Sequence, residues 1–220
     1  MLVNNENQVV FKNKRNYTLS NENITLEDKT MKQAKTFTPQ ELRRVLDYVA
    51  TRKHAARNRA MLLMTHFAGL RVAETASLRY ADVMDENGKI RNEILLRPEQ
   101  TKGDQARTVF VAEKLRKELE IYITKMPCTD PQHKLFYTQK KLTEGFTANT
   151  LTQYFHYLYK RAGFIGGSSH SGRRSFITSL AAKGVGVRVL MSLAGHASIS
   201  TTQKYIDINS DMQRKAVELI

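Results

Sequence analysis

Four short segments of this chain carry side chains suited to gripping an anion and moving protons beside it. Gly69-Leu70-Arg71-Val72-Ala73-Glu74 sets a guanidinium three residues before a carboxylate, a spacing that puts both on one face of a helix. Thr101-Lys102-Gly103-Asp104 sets a lysine in a polar turn, with Arg107-Thr108-Val109 just beyond it. His170-Ser171-Gly172-Arg173-Arg174-Ser175-Phe176 follows the glycine-rich stretch Gly166-Gly167-Ser168-Ser169. Leu193-Ala194-Gly195-His196 leads on to Thr201-Thr202-Gln203-Lys204-Tyr205. Arginine offers anionic oxygens a planar fork of donors, and histidine and lysine carry protons. A phenol, with a pKa of about 10, becomes a nucleophile once its proton is removed. Taken singly, each segment also has a plain structural account. These are a surface ion pair, a solvated turn lysine, a histidine at a helix start, and a tyrosine packed in a core.

The elements that must position these residues are mostly helices. Thr38-Pro39-Gln40-Glu41 is a capping box with proline at the first helical position. Leu42, Val45, Leu46 and Val49 then follow at helical spacing. A more apolar helix is expected over Ala56–Ala68, stopping at Gly69, and a third over Arg71–Arg79. Glu93–Leu96 and Thr108–Val111 read as two strands joined by the polar turn around Lys102. Helices are expected over Ala112–Lys125 and Ala148–Ala162, then over 171–183, 187–194, 199–206 and 209–219, with a short strand at Leu135–Thr138. Leu151, Tyr154, Phe155 and Leu158 share a stripe, and Gly163, Gly184 and Gly195 punctuate the later helices. The expected fold class is α+β, mainly helical with one small antiparallel sheet. Residues 1–35, rich in Asn, Lys, Thr and Glu, read as a flexible lead-in to a single domain over 36–220.

Lys and Arg number 35 against 21 Asp and Glu in 220 residues, a net charge of +14. That surplus points to a polyanionic partner, and nucleic acid fits best. An anionic membrane surface fits less well, because no basic amphipathic helix dominates the charge. Cys128 is the only cysteine, so no intrachain disulfide can form, which suits a reducing cytoplasm. No metal-type clustering of Cys and His is present. The apolar runs are too short to span a bilayer.

The four segments together resemble the tyrosine recombinase (phage integrase) family. An arginine box, a hairpin lysine, a His-x-x-Arg box, and Gly-His followed by Thr-Thr-x-x-Tyr occur in the family's order, and the resemblance covers Thr38–Ile220. It implies the family's DNA breaking-rejoining fold, with Arg71, Lys102, His170, Arg173, His196 and Tyr205 at the catalytic positions and Glu74 at the supporting acidic one. The implied activity is site-specific recombination of double-stranded DNA through a covalent 3′-phosphotyrosine, with no metal, cofactor or ATP. Arg71 and Arg173 would neutralise the phosphorane oxygens, Tyr205 attack, and His170 take its proton. His196 would donate to the phosphate, Lys102 would protonate the departing 5′ oxygen, and Glu74 would orient His170 or its neighbours. The implied setting is the cytoplasm, at the nucleoid, with self-association into a tetramer on DNA.

The sequence departs from the family pattern in two ways. Gly172 and Arg174 stand where leucine and histidine usually flank the second arginine, which makes the local packing a question. About 35 residues precede the catalytic region, too few for the family's N-terminal clamp domain. That suggests a fragment, or a short recombinase like the fimbrial inversion enzymes. Met212, Ala216, Leu219 and Ile220 form an apolar set at helical spacing, expected either to pack on its own core or to dock on a neighbouring subunit. Two other functions share the pattern: a type IB topoisomerase that nicks and reseals one duplex, and a non-catalytic DNA-binding protein. The Gly-His and Thr-Thr-x-x-Tyr boxes favour the recombinase over the first, and the intact set of reactive residues over the second.

Overall fold

The Thr38 capping box closes as its residues dictate. Thr38 Oγ1 accepts the Glu41 N–H at 3.2 Å, and the Glu41 carboxylate accepts the Thr38 N–H at 3.0 Å. The computed structural model describes residues 33–125, 130–138, 144–206, 213–214 and 217–218. Among these, the helices are α1 (Pro39–Ala50), α2 (Ala55–Phe67), α3 (Val72–Ser77), α4 (Tyr80–Val83), α5 (Glu113–Lys125), α6 (Ala148–Arg161), α7 (Ser171–Ala182), α8 (Val187–Ala194) and α9 (Ile199–Gln203). The strands β1 (Glu93–Leu96) and β2 (Arg107–Phe110) pair antiparallel, Glu93 opposite Phe110 and Leu96 opposite Arg107. The fold is therefore the expected one, mainly helical with a two-stranded antiparallel sheet.

The core forms around α2. Ala60–His66 are all buried, because α2 packs against α5, α7 and α1, so it shows no one-sided apolar stripe. Its polar members are satisfied. Arg57 donates to the Tyr137 carbonyl, and the buried ring nitrogen Nε2 of His66 meets the Tyr159 hydroxyl at 3.0 Å. Between α2 and α7 the two backbones come close at Gly172. A Cβ there would overlap Thr65 Oγ1 and lie 2.7 Å from Thr65 Cβ and 2.9 Å from His66 Cδ2. That contact answers the packing question at residue 172: no leucine fits.

Several elements differ from the sequence reading. The expected helix Arg71–Arg79 is two short helices, because Leu78 turns extended (φ −56°, ψ 142°) and its carbonyl accepts the Leu135 N–H at 2.9 Å. Arg79 then starts α4, with its N–H held by Asp82 at 2.8 Å. Leu135–Thr138 is not a strand. Residues 134 and 137 make only isolated bridges, to Arg79 and Gly145. The β1–β2 connection runs from Arg97 to Ala106 and includes a 3₁₀ turn, Pro98–Gln100, so it is longer than a tight turn. The helix expected over 199–206 ends at Gln203. Of the expected lead-in only residues 33–35 are described, and there the Lys35 N–H is tied to the Gly166 carbonyl at 3.0 Å. Cys128 and the apolar set Met212, Ala216, Leu219 and Ile220 lie outside the described residues. Among the described residues, no helix is long and apolar enough to cross a membrane.

Candidate active site

The end of α8 organises the site. Gly195 has φ +58°, and the chain closes as a Schellman turn. The His196 N–H reaches the Met191 carbonyl at 3.0 Å, and the Gly195 N–H reaches Ser192 at 2.9 Å. The carbonyls of Leu193, Ala194 and Gly195 are left to find donors elsewhere. Three arginines from three distant segments supply them. Arg107 Nη1 donates to Leu193 at 3.1 Å, Arg173 Nη2 to Ala194, and Arg71 Nη2 to Gly195 at 2.9 Å. The negative end of the α8 dipole favours this gathering of cations.

Each arginine has a second anchor. Arg173, in the first turn of α7 and 5% exposed, also donates to the Gly69 carbonyl at 2.7 Å. Gly69 has φ +63°, and a Cβ there would meet the Phe176 ring at 2.5 Å. Arg71 is the extended N-cap of α3. Its N–H and its Nη1 each donate to Glu74 at 2.7 Å. Arg107 Nη2 donates at 2.7 Å to Glu74 Oε2, the oxygen that also accepts the Arg71 N–H. Glu74 is 1% exposed. Burial would raise its pKa, but the hydrogen bonds and charges of Arg107 and Arg71 outweigh burial and hold it below the usual carboxylate range. The role expected for Glu74 is to orient His170 or its neighbours. Its carboxylate joins Arg71 to Arg107.

His196 follows directly. Its Nδ1 lies 2.9 Å from the hydroxyl of Thr202, which is fully buried in α9. Burial first, then the charges of Arg173, Arg71 and Arg107, push His196 down to about 4, so the ring is neutral at neutral pH. Burial, with the neighbouring Arg71 cation next, also lowers Arg173. Both shifts come first from burial and second from neighbouring cations.

The turn closing α9 carries Tyr205, whose N–H is held by the Thr202 carbonyl at 3.0 Å. The Tyr205 ring stacks near-parallel on His196, with centroids 5.7 Å apart and planes at 22°. The Arg174 guanidinium lies 5.3 Å from the Tyr205 ring centre. Thus Arg71, Glu74, Arg173, His196 and Tyr205 come together. His170 is exposed at the N-cap of α7 and Lys102 is exposed on the β1–β2 connection. Among the described residues, neither side chain makes a hydrogen bond. Arg107, Arg174 and Thr202 belong to the site, yet the sequence reading assigned them no part in it. Arg107 gave no signal of its own, because its partners lie 33 and 86 residues away. Among the described residues, no cluster of His, Cys, Asp or Glu is placed to hold a metal ion.

The phage integrase family matches residues 35–212. Tyrosine recombinase XerA of Pyrococcus furiosus is 29% identical over 185 residues, covering 84% of this chain and 61% of that protein. A crystal structure of XerA recombinase has a TM-score of 0.66 at 26% identity, over 84% of this chain and 64% of that one. XerH site-specific recombinase, bound to a palindromic difH substrate in a post-cleavage complex, has a TM-score of 0.62 at 27% identity, over 89% and 55%. The chain spans about three fifths of the length of the first curated relatives it matches. With its arginine cluster, its His196–Tyr205 pair and a match over most of its length, this chain belongs to the phage integrase family.

Proposed function

We propose that residues 36–220 are the catalytic domain of a site-specific DNA recombinase that cuts and rejoins double-stranded DNA through a 3′-phosphotyrosine at Tyr205. The observation that carries this reading is the trio Arg71, Arg107 and Arg173 fixed at the end of α8 beside the stacked His196–Tyr205 pair. Three guanidiniums against the Glu74 carboxylate leave two positive charges. Attack on a phosphodiester monoanion by a phenolate oxygen raises the charge at phosphorus to two negatives. The cluster therefore complements the phosphorane better than the ground state, which is the condition for catalysis.

In the forward step the Tyr205 oxygen bonds to phosphorus and the bond to the 5′ oxygen breaks. The phenol proton passes to His170, and Lys102 protonates the departing 5′ oxygen. His196 Nδ1 pairs with the Thr202 hydroxyl, and in the tautomer in which that hydroxyl donates, the neutral ring carries a proton on Nε2 to donate to the phosphate. The covalent link conserves the phosphodiester energy, so the reverse attack by a 5′ hydroxyl needs neither ATP nor a metal. The DNA-bound state of XerH supports DNA as the substrate.

Strand exchange between two sites requires four such domains, assembled on DNA in the cytoplasm at the nucleoid.

The test uses a pool of nicked duplexes with a randomised window, from which the strand beyond the nick is lost after cleavage. The full chain should become covalently attached to DNA. Tyr205→Phe should still retain the duplexes and form no adduct. Adduct at the normal level from Tyr205→Phe overturns the assignment. Exchange between two copies of the selected site, rather than relaxation of one supercoiled circle, separates a recombinase from a topoisomerase.

A further inference from the structure

Arg174 stands apart from the other arginines of the site. Arg71, Arg107 and Arg173 are each locked by carbonyls or by Glu74. Among the described residues the half-buried Arg174 guanidinium has no hydrogen bond and no carboxylate partner, and it lies over the face of the Tyr205 ring, 5.3 Å from its centre. That ring is also stacked on His196. Tyr205 itself sits just past the end of a five-residue helix, on a turn closed by two backbone hydrogen bonds, from the Tyr205 N–H to Thr202 and from the Ile206 N–H to Gln203. Little else in its own segment fixes the ring.

We propose that Arg174 is the positioning residue for Tyr205. It holds the ring against His196, and it keeps a fixed positive charge over a ring that gains electron density as the phenol becomes a phenolate. A cation over an aromatic face is attracted by the ring's negative quadrupole, and the attraction grows as that ring becomes anionic. The contact is thus stronger in the transition state than in the resting enzyme, and it acts on rate more than on DNA affinity. Histidine, the usual residue at this place in the resemblance, cannot supply a permanent charge at neutral pH. The inference rests on Tyr205 being the nucleophile.

The measurement is the single-turnover rate of covalent adduct formation by the full chain, at saturating protein, on nicked duplexes recovered from the randomised pool. Arg174→Gln should slow adduct formation about five- to thirtyfold, the worth of a partly desolvated cation–π contact. Its thermal melting should be unchanged. Arg174→Lys should recover most of the rate, because it restores the charge over the ring. An Arg174→Gln rate equal to wild type at saturation overturns the proposal, since Arg174 would then serve DNA affinity alone. An Arg174→Lys rate as low as that of Arg174→Gln also overturns it, because the charge would then not be the active property. Peptide mapping keeps the two readings apart. An adduct on a residue other than Tyr205 removes the nucleophile assignment, and this proposal with it. An adduct on Tyr205 with no Arg174 effect removes only this one.

Discussion

Arg107 and Glu74 form a largely buried pair that ties β2 to α3 at the site. Arg107→Ala leaves Glu74 with Arg71 alone and strips the Leu193 carbonyl of its donor. Removing one partner of a buried pair is costly because the other stays charged and buried. Arg71 still compensates Glu74, so a loss of about 2–3 kcal/mol in unfolding free energy is expected, together with slower DNA cleavage. Arg107→Lys should recover little of either, since one ammonium cannot span Glu74 and the Leu193 carbonyl with a fork. Urea melts and adduct rates measure both, and an Arg107→Ala variant with wild-type stability would show that Arg71 holds Glu74 unaided. His196 gives a pH signature at the same scale. Its folded pKa is about 4 against an ordinary 6.5. Between those values the unfolded chain binds a proton that the folded protein refuses, so stability is fully present above 6.5 and declines as pH falls toward 4. Burial is the larger cause of that depression, and an anion bound among the arginines offsets the remainder, which comes from their repulsion. NMR titration should therefore find the His196 pKa raised in the presence of bound DNA, and an unchanged value would mean that the phosphate seats elsewhere.

At the scale of elements, two glycines decide how closely the parts approach. Gly195 combines φ +58° with a Cβ direction that would meet Arg107 Cδ at 2.5 Å. Gly195→Ala should destabilise by about 1–2 kcal/mol from the left-handed backbone, and by more through displaced Arg107. Gly172→Ala drives a methyl onto Thr65, and about 1–3 kcal/mol is expected for such overpacking. Adding Thr65→Ala should return part of that loss, because the overlapping hydroxyl is gone. Strictly additive losses in thermal melts would deny that the two side chains collide. These elements also show how far a sequence speaks. The Thr38 box, the strands and the glycine stops were legible because their causes lie within a few residues of one another. The break at Leu78 was not, since it depends on pairing with Leu135, 57 residues on. The arginine cluster was legible as separate boxes only. Its assembly depends on carbonyls of α8 that lie 86 and 124 residues from Arg107 and Arg71, and no local pattern encodes which arginine meets which carbonyl. Arg107 was therefore seen beside the lysine turn but given no role, and Glu74 was expected to orient His170 or its neighbours.

The whole molecule separates two uses of positive charge, and salt should tell them apart. The net charge is +14, and among the described residues many cations are exposed, such as Arg52, Lys53, Lys102, Lys160, Arg161 and Lys183, which water and counterions reach freely. Contacts from such groups to DNA phosphates release counterions. A protein making about 6–10 of them loses about 10³–10⁵ in affinity between roughly 50 and 200 mM salt. The cations of the site are different. Arg107 and Arg173 are largely buried, with side chains fixed by carbonyls and by Glu74, and buried charges are screened far less than exposed ones. Binding and chemistry should therefore part company. Across that salt range the dissociation constant should climb steeply, while the adduct rate at saturating protein should change by less than about threefold. Lys102→Ala should flatten the binding slope by at most about one unit, the share of one phosphate contact, and still slow the chemical step if Lys102 protonates the leaving oxygen. Filter binding and single-turnover cleavage on one duplex, at matched salt concentrations, measure the two quantities side by side. A saturated rate that falls in parallel with affinity would mean that the reacting phosphate is held by exposed charges, and would remove the buried arginine trio from the chemical step.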